Sequence, residues 1–238
     1  MLRASTYLIA LFLIVLINLS CQKQAPVKSL VSDASKNHSS AESEGIVPGV
    51  NQTEKYLTYL RGKRVGMVVN PTSIIGGKTT VDSLKALGIN IVKIFGPEHG
   101  FRGNASAGAH VGDEVDQKTG IPVISLYGKN QKPTQESLAD IDIMVFDIQD
   151  VGARFYTYIA TMHRVMEACA ESNKELLILD RPNPNGYLVD GPVLNMQLKS
   201  GIGMHPVPIA HGLTVGEYAQ MINGEGWLAN KKIGRAHV

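Results

Sequence analysis

Ile141-Asp-Ile-Met-Val-Phe-Asp-Ile148, Tyr158–Asn173 and Glu175-Leu-Leu-Ile-Leu179, taken together, decide the fold. The first is an apolar run of strand length, rich in β-branched residues, and reads as a buried strand. The second repeats apolar residues at helical spacing, with Ile159, Met162, Val165, Met166 and Cys169 on one face. The third is another short apolar strand, stopped at Asp180. Strand, helix, strand makes a right-handed crossover unit, and a parallel sheet is what it builds.

The alternation repeats upstream. Arg64–Asn70 reads as a strand that ends in Asn70-Pro-Thr-Ser73, a turn-type stop. Thr80–Leu87 has helical spacing, and Gly88 offers the left-handed exit. Asn90–Phe95 and Pro122–Leu126 are further strands, with a short helix expected at Thr134–Ala139. Downstream, Thr214 N-caps a helix through Asn223, and Glu217 stands where a capping box needs it. The expected class is therefore α/β with a mostly parallel sheet. In such sheets ligands bind outside the carboxyl ends of the strands. The segments that follow the strands are polar and rich in Gly and Pro, and they converge on one rim. They contain Asn70, Glu98, His99, Tyr127, Gln149, Asp150, Asp180, Arg181 and Asn183.

The ends carry other signals. Arg3 followed by the apolar run Tyr7–Leu19 is too short to span a bilayer comfortably and reads as an export signal. Leu19-Ser-Cys21 resembles a bacterial lipobox, although Asn18 stands where Leu is usual, so residues 1–21 are expected to be a lipoprotein signal peptide lipidated at Cys21. Residues 22–50 are Ser-rich and without apolar periodicity, as befits a flexible tether. Residues 51–230 are the expected folded domain. Ile233-Gly-Arg-Ala-His-Val238 matches one translated frame of a common sequencing adapter and is expected to be an artefact of the gene model. The expected location is an exported, membrane-anchored lipoprotein facing the periplasm or the cell surface.

Composition narrows the function classes. A net charge of +2 without a basic block argues against nucleic acid, which needs clustered Lys and Arg. The two cysteines are Cys21 and Cys169, so lipidation of Cys21 leaves no intrachain disulfide. His99, His110, His205 and His211 are scattered and no His-Glu-x-x-His occurs, so no metal is expected. Gly76-Gly-Lys-Thr79 mimics the end of a phosphate loop, but Thr72 stands where that pattern needs Gly. No Gly-x-Gly-x-x-Gly follows the first strand either, so no cofactor is expected.

Three constellations carry chemistry. In Gly96-Pro-Glu-His-Gly100, a carboxyl raised between Pro and Gly beside an apolar sheet rim suits a general acid, or organises its loop. In Phe146-Asp-Ile-Gln-Asp-Val-Gly-Ala-Arg-Phe-Tyr-Thr-Tyr158, Asp147 and Asp150 suit a second carboxylate or contacts to sugar hydroxyls. The alternative for either one is to cap the next helix or to pair with Arg154. In Asp180-Arg-Pro-Asn-Pro184, Asp180 and Arg181 suit a clamp on hydroxyls or a carboxylate, or a structural pair.

These motifs occur together and in order: Asn70-Pro-Thr, Pro97–Gly103, Ser125-Leu-Tyr-Gly128, Phe146–Gly152, Asp180–Pro184 and Gly191-Pro192. In them the chain resembles the NamZ-type exo-β-N-acetylmuramidases, from about residue 53 to about residue 228. The resemblance implies a Rossmann-like N-terminal domain with helices on both faces of its sheet, and a smaller C-terminal domain that this chain lacks. It implies release of N-acetylmuramic acid from the non-reducing ends of peptidoglycan fragments, with muropeptides as the partner. It carries the catalytic glutamate to Glu98 and a cleft tyrosine to Tyr127. The expected catalytic set is Glu98, Tyr127 and Asp150. The expected substrate contacts are Asn70, His99, Arg102, Asp147, Gln149, Arg154, Asp180, Arg181, Asn183 and His211, with Arg102, Arg154 or Arg181 as the cation for the lactyl carboxylate. The rival expectation is a surface lipoprotein that holds muropeptides without cutting them.

Overall fold

The computed structural model describes residues 45–103, 113–229, 233 and 236–237. The export segment, Cys21, most of the expected tether and His110 lie outside the described residues. In chain order the elements are α1 (Thr53–Leu60), β1 (Val65–Val69), β2 (Ile74–Ile75), β3 (Lys78–Thr79), α2 (Thr80–Ala86), β4 (Ile91–Gly96), β5 (Glu114–Val115), β6 (Pro122–Ser125), β7 (Ile143–Asp147), α3 (Tyr158–Glu171), β8 (Glu175–Ile178), β9 (Val189–Asp190), β10 (Ala210–His211), α4 (Val215–Gly224) and β11 (Ala236–His237).

The main sheet has the order β11-β8-β7-β1-β4-β6-β5. Every pairing in it is parallel except β5 with β6. From β1 the chain steps one way to β4 and β6, then returns to the other side of β1 for β7 and β8. The order reverses between β1 and β7, and a sheet of this kind opens its ligand crevice at that point.

Neighbouring residues of one strand enter opposite cores, as the two-residue period of a strand requires. Val65, Met67 and Val69 pack with Tyr56 and Leu60 of α1 and with Val81 and Leu84 of α2. Val68 packs with Ile159, Met162 and Val165 of α3 and with Tyr218 and Ile222 of α4. Helices thus cover both faces, which is why the strands read as unbroken apolar runs. Gly66 is required by closeness: a Cβ there would lie 2.6 Å from both the Ile141 Cδ1 and the Met144 Sδ. Cys169 is buried, and burial pushes its thiol up to about 12, so it behaves as a small core residue.

Some expectations need correction. Residues 135–140 form turns rather than the short helix. Leu138 N donates to Thr134 O at 3.2 Å, but Ala139 and Ile141 already make three-residue bonds. The Thr134 hydroxyl also takes the Ser137 N–H, and so short a segment does not propagate. The folded region starts before residue 51. Gly49 N donates to Asp180 O at 2.7 Å, Val50 is fully buried, and the Tyr56 hydroxyl donates to Val50 O at 2.6 Å. One apolar residue in a polar run leaves no periodic signal, so the sequence reading placed Val50 in the tether. Gly76 and Gly77, read as a phosphate-loop mimic, turn the β2–β3 hairpin with φ of 55° and 79°. That is what a tight two-residue turn needs.

Candidate active site

The site grows from the carboxyl ends of β1, β4 and β6. After β4, Gly100 N donates to Pro97 O at 3.0 Å and closes a tight turn around Glu98 and His99. His99 has φ of 71° and Gly100 of 70°, so a non-glycine residue is held in left-handed backbone beside the candidate acid. Such strain persists only where the surroundings enforce it, and it clusters at functional sites. Glu98 and His99 are half-buried. Leu126 N donates to Gly96 O at 2.8 Å, which brings the loop after β6 alongside. Tyr127 is thereby set against Glu98. The Glu98 charge, which is within hydrogen-bonding reach of the phenol, raises the Tyr127 pKa above its ordinary value.

Two residues that sequence reasoning gave no role complete this cluster. Tyr158, the first residue of α3, is buried. Burial pushes its phenol up, and the Tyr156 and Glu98 charges add to that, while Asn70 within hydrogen-bonding reach opposes it. The Tyr156 and Tyr158 rings meet edge to face, with centroids 5.0 Å apart. The signal was present in Phe155-Tyr-Thr-Tyr158, directly after the Asp150 loop. Spacing alone marks Tyr158 as the first residue of a helix and gives Tyr156 no role. Asn70 is 2% exposed, and its Oδ1 accepts from Thr72 N at 2.9 Å and from the Thr72 hydroxyl.

At the switch point between β1 and β7, Asp147 is fully buried and engaged. It accepts from Arg181 Nε at 2.7 Å and from Thr80 Oγ1 at 2.6 Å. Its backbone carbonyl accepts from the Ser73 hydroxyl. Burial pushes the Asp147 carboxyl up, and Arg181 and Thr80 pull the other way. Asp147 therefore belongs to the floor of the crevice, whereas Arg181, bonded to it through Nε, keeps a buried Nη2 with no hydrogen-bond partner among the described residues. Gln149 Nε2 ties the loops after β7 and β8, donating to Asp150 O at 2.7 Å and Pro182 O at 2.8 Å.

Asp150 and His211 are brought together from 61 residues apart, His211 Nε2 lying 3.5 Å from Asp150 Oδ2. Asp150 Oδ2 also accepts from Gly152 N at 2.7 Å. Asp150 Oδ1 and His211 Nε2 are buried and have no hydrogen-bond partner among the described residues. Behind them runs a chain of buried polar groups. His163 Nε2 is 3.2 Å from the Glu167 carboxylate, His205 Nε2 is 2.9 Å from His163 Nδ1, and the Tyr218 hydroxyl is 3.1 Å from His205 Nδ1. Burial lowers the pKa of both histidines, that of His205 to about 3, so both are neutral. A carboxylate only accepts, so His163 carries its proton on Nε2. It follows that His205 donates to His163 and that Tyr218 donates to His205. The Tyr218 ring then meets His211 edge-on at 4.8 Å.

Four expected contacts are committed elsewhere. Arg102 is gripped by Asp116, with Nη2 to Oδ2 at 2.8 Å, and by Asp82 at 3.2 Å. The Arg102 guanidinium holds the Asp116 carboxyl at about 2. Asp82 also falls to about 2, burial opposing Arg102 and Lys118. Arg154 donates to the carbonyls of Pro192 and Val207, the latter at 2.9 Å. Asp180 anchors the start of α4, accepting from Gly216 N at 2.8 Å and Thr214 Oγ1 at 2.7 Å. Asn183 donates to Leu213 O at 2.9 Å and accepts from Asn185 N at 2.8 Å. Among the described residues no group of three or more His, Cys, Asp and Glu is arranged to hold a metal.

Residues 65–236 match the family described as exo-beta-N-acetylmuramidase NamZ, N-terminal. The chain belongs to the NamZ family. It is 49% identical over 173 residues to the peptidoglycan beta-N-acetylmuramidase NamZ of Bacillus subtilis (strain 168), an alignment covering 71% of this chain and 42% of that protein. Two solved structures of DUF1343 family proteins from Bacteroides fragilis NCTC 9343 share its fold. One is 48% identical with a TM-score of 0.73, over 81% of this chain and 50% of the other. The second is 44% identical with a TM-score of 0.73, over 80% and 48%. The chain thus spans about half the length of the NamZ relatives it matches. The family match takes in Glu98, Tyr127, Asp150, Tyr156 and Tyr158.

Proposed function

We propose that this chain carries the catalytic face of an exo-acting peptidoglycan β-N-acetylmuramidase, which releases N-acetylmuramic acid from non-reducing ends during cell-wall turnover. The observation that carries the reading is Glu98. It stands on a strained turn at the sheet's carboxyl rim with Tyr127 against it, in a chain 49% identical to a peptidoglycan muramidase. Glycoside cleavage needs an acid for the leaving oxygen and a second group for the anomeric carbon or its water. Glu98 suits the acid, with the Tyr127 phenol set against its carboxyl to orient it. Asp150, with one buried carboxylate oxygen unpartnered beside His211, is the candidate for the second group. Asp147 is set aside because Arg181 and Thr80 occupy it.

The test is hydrolysis of a chromogenic β-N-acetylmuramide against the matching glucosaminide. The reading expects release from the muramide alone, lost in Glu98→Gln with ligand binding retained. A folded protein that binds the sugar and releases neither chromophore overturns it in favour of a muropeptide-binding protein. The same proposal places the protein outside the cytoplasm, anchored by a lipid on Cys21. Metabolic labelling with an alkyne fatty acid checks this: equal labelling of Cys21→Ser and wild type refutes the anchor.

A further inference from the structure

Glu98 stands in a turn that its own residues do not favour. His99 has φ of 71°, a backbone region in which a Cβ is crowded. Among the described residues Asn173 is the other non-glycine there, and it serves as the exit of α3. A turn of this kind persists only where the chain around it is fixed.

Upstream the anchor is the sheet, where Leu126 N donates to Gly96 O at 2.8 Å. Downstream it is Phe101 and Arg102. Phe101 is 3% exposed, in the core it shares with Val69 and Leu84. The Arg102 guanidinium lies over its ring, 4.5 Å from the centroid. From there Arg102 forks onto two carboxylates. Nε and Nη2 meet Asp116 at 2.5 and 2.8 Å, and Nη1 and Nη2 meet Asp82 at 3.3 and 3.2 Å. Both acceptors are themselves fixed. Asp82 lies in the first turn of α2 and takes Lys118 Nζ at 2.7 Å, and Asp116 accepts from Thr119 N at 2.9 Å. Every nitrogen of the guanidinium is used, so Arg102 has no fork left for a sugar. Paired, charge-assisted forks fix direction as well as distance, and what they fix here is the end of the Glu98 turn.

We propose that Arg102 is a positioning residue: its grip on Asp82 and Asp116 holds His99 in left-handed backbone and so keeps Glu98 aimed at the reacting bond. The aim at a glycosidic bond rests on the muramidase reading above, whereas the grip on the turn does not. Two measurements separate them. NMR follows the NOE between the Glu98 side chain and the Tyr127 ring, which lie within hydrogen-bonding reach, in wild type, Arg102→Met and Arg102→Lys. Hydrolysis of the chromogenic muramide gives kcat and KM for the same proteins and for Arg64→Met. Arg64 makes a comparable fork to Asp142, 2.6 Å at its shortest, at the opposite end of β1. Arg102→Met loses the NOE and lowers kcat by about a hundredfold, the scale of a misplacement of about 1 Å, with KM within about twofold. Arg102→Lys, which keeps the charge without the fork, falls between. Arg64→Met matches wild type in both. An NOE retained in Arg102→Met, an NOE absent already in wild type, or an unchanged kcat in an active protein overturns the assignment. So does an equal loss of kcat in Arg64→Met, which marks general destabilisation. A folded wild type that hydrolyses nothing sinks the muramidase reading alone, and the NOE still decides the grip.

Discussion

Replacing Arg181 by Met should expose how the crevice floor is held. Asp147 is 0% exposed and Arg181 is 9% exposed, and their contact is 2.7 Å. Removing one partner of such a pair leaves a charge buried without compensation, at a cost of about 3–5 kcal/mol. For a domain of this size each kcal/mol moves the midpoint by about 2–4 °C, so Tm should fall by roughly 6–20 °C. The sign with pH follows from Asp147. Burial already pushes its carboxyl up, and Arg181 opposes this. Without Arg181 the folded-state pKa climbs further above the unfolded one. A raised carboxyl loses stability as pH rises through its folded pKa and regains it when protonated. The gap between Arg181→Met and wild type should therefore narrow from about pH 8 to about pH 5. Adding Asp147→Asn, which removes the stranded charge, should recover much of the loss, making the pair strongly non-additive. Thermal melts by circular dichroism at both pH values measure this. A Tm within about 2 °C of wild type at both would refute the reasoning, because it would mean that the pair is not buried.

The remaining predictions concern stability. Tyr218→Phe leaves His205 Nδ1 a buried acceptor without its donor, so it should cost about 1–3 kcal/mol; an unchanged denaturation midpoint would contradict the deduced proton order. Asp82 and Asp116, each held at about 2, have folded pKa values below their unfolded ones. Their contribution is present above about pH 4 and is lost as pH falls toward about 2. Arg102→Met should flatten that acid limb, though not abolish it, since Lys118 also reaches Asp82 at 2.7 Å. An acid limb identical to that of wild type would argue against the clamp.

Much of the fold was legible because its signals are local. Strands buried on both sides read as apolar runs, and β1, β4, β6, β7 and β8 fall within one residue of the expected bounds at each end, apart from the two-residue start of β7. The capping box of Thr214 and Glu217 is present as its spacing requires. Glu98, Tyr127 and Asp150 follow the carboxyl ends of β4, β6 and β7, where the carboxyl-end rule expects them. Helix α1 went unread because it is only eight residues long, although Tyr56 and Leu60, four residues apart, form its buried face.

What only the tertiary structure decided was the choice of partners. The sequence offered three arginines for the lactyl carboxylate and could not rank them, because the partner that engages each arginine lies far from it along the chain. The fold sends Arg181 to Asp147 across 34 residues, Arg102 to Asp116 across 14, and Arg154 to the carbonyl of Val207 across 53. It also buries Tyr158 and leaves Tyr156 exposed, with their rings edge to face. Periodicity is set by neighbours a few residues apart, so the sequence determines the elements and their order. An ion pair or a hydrogen bond is set by distances of a few ångströms, which exist only once those elements have packed.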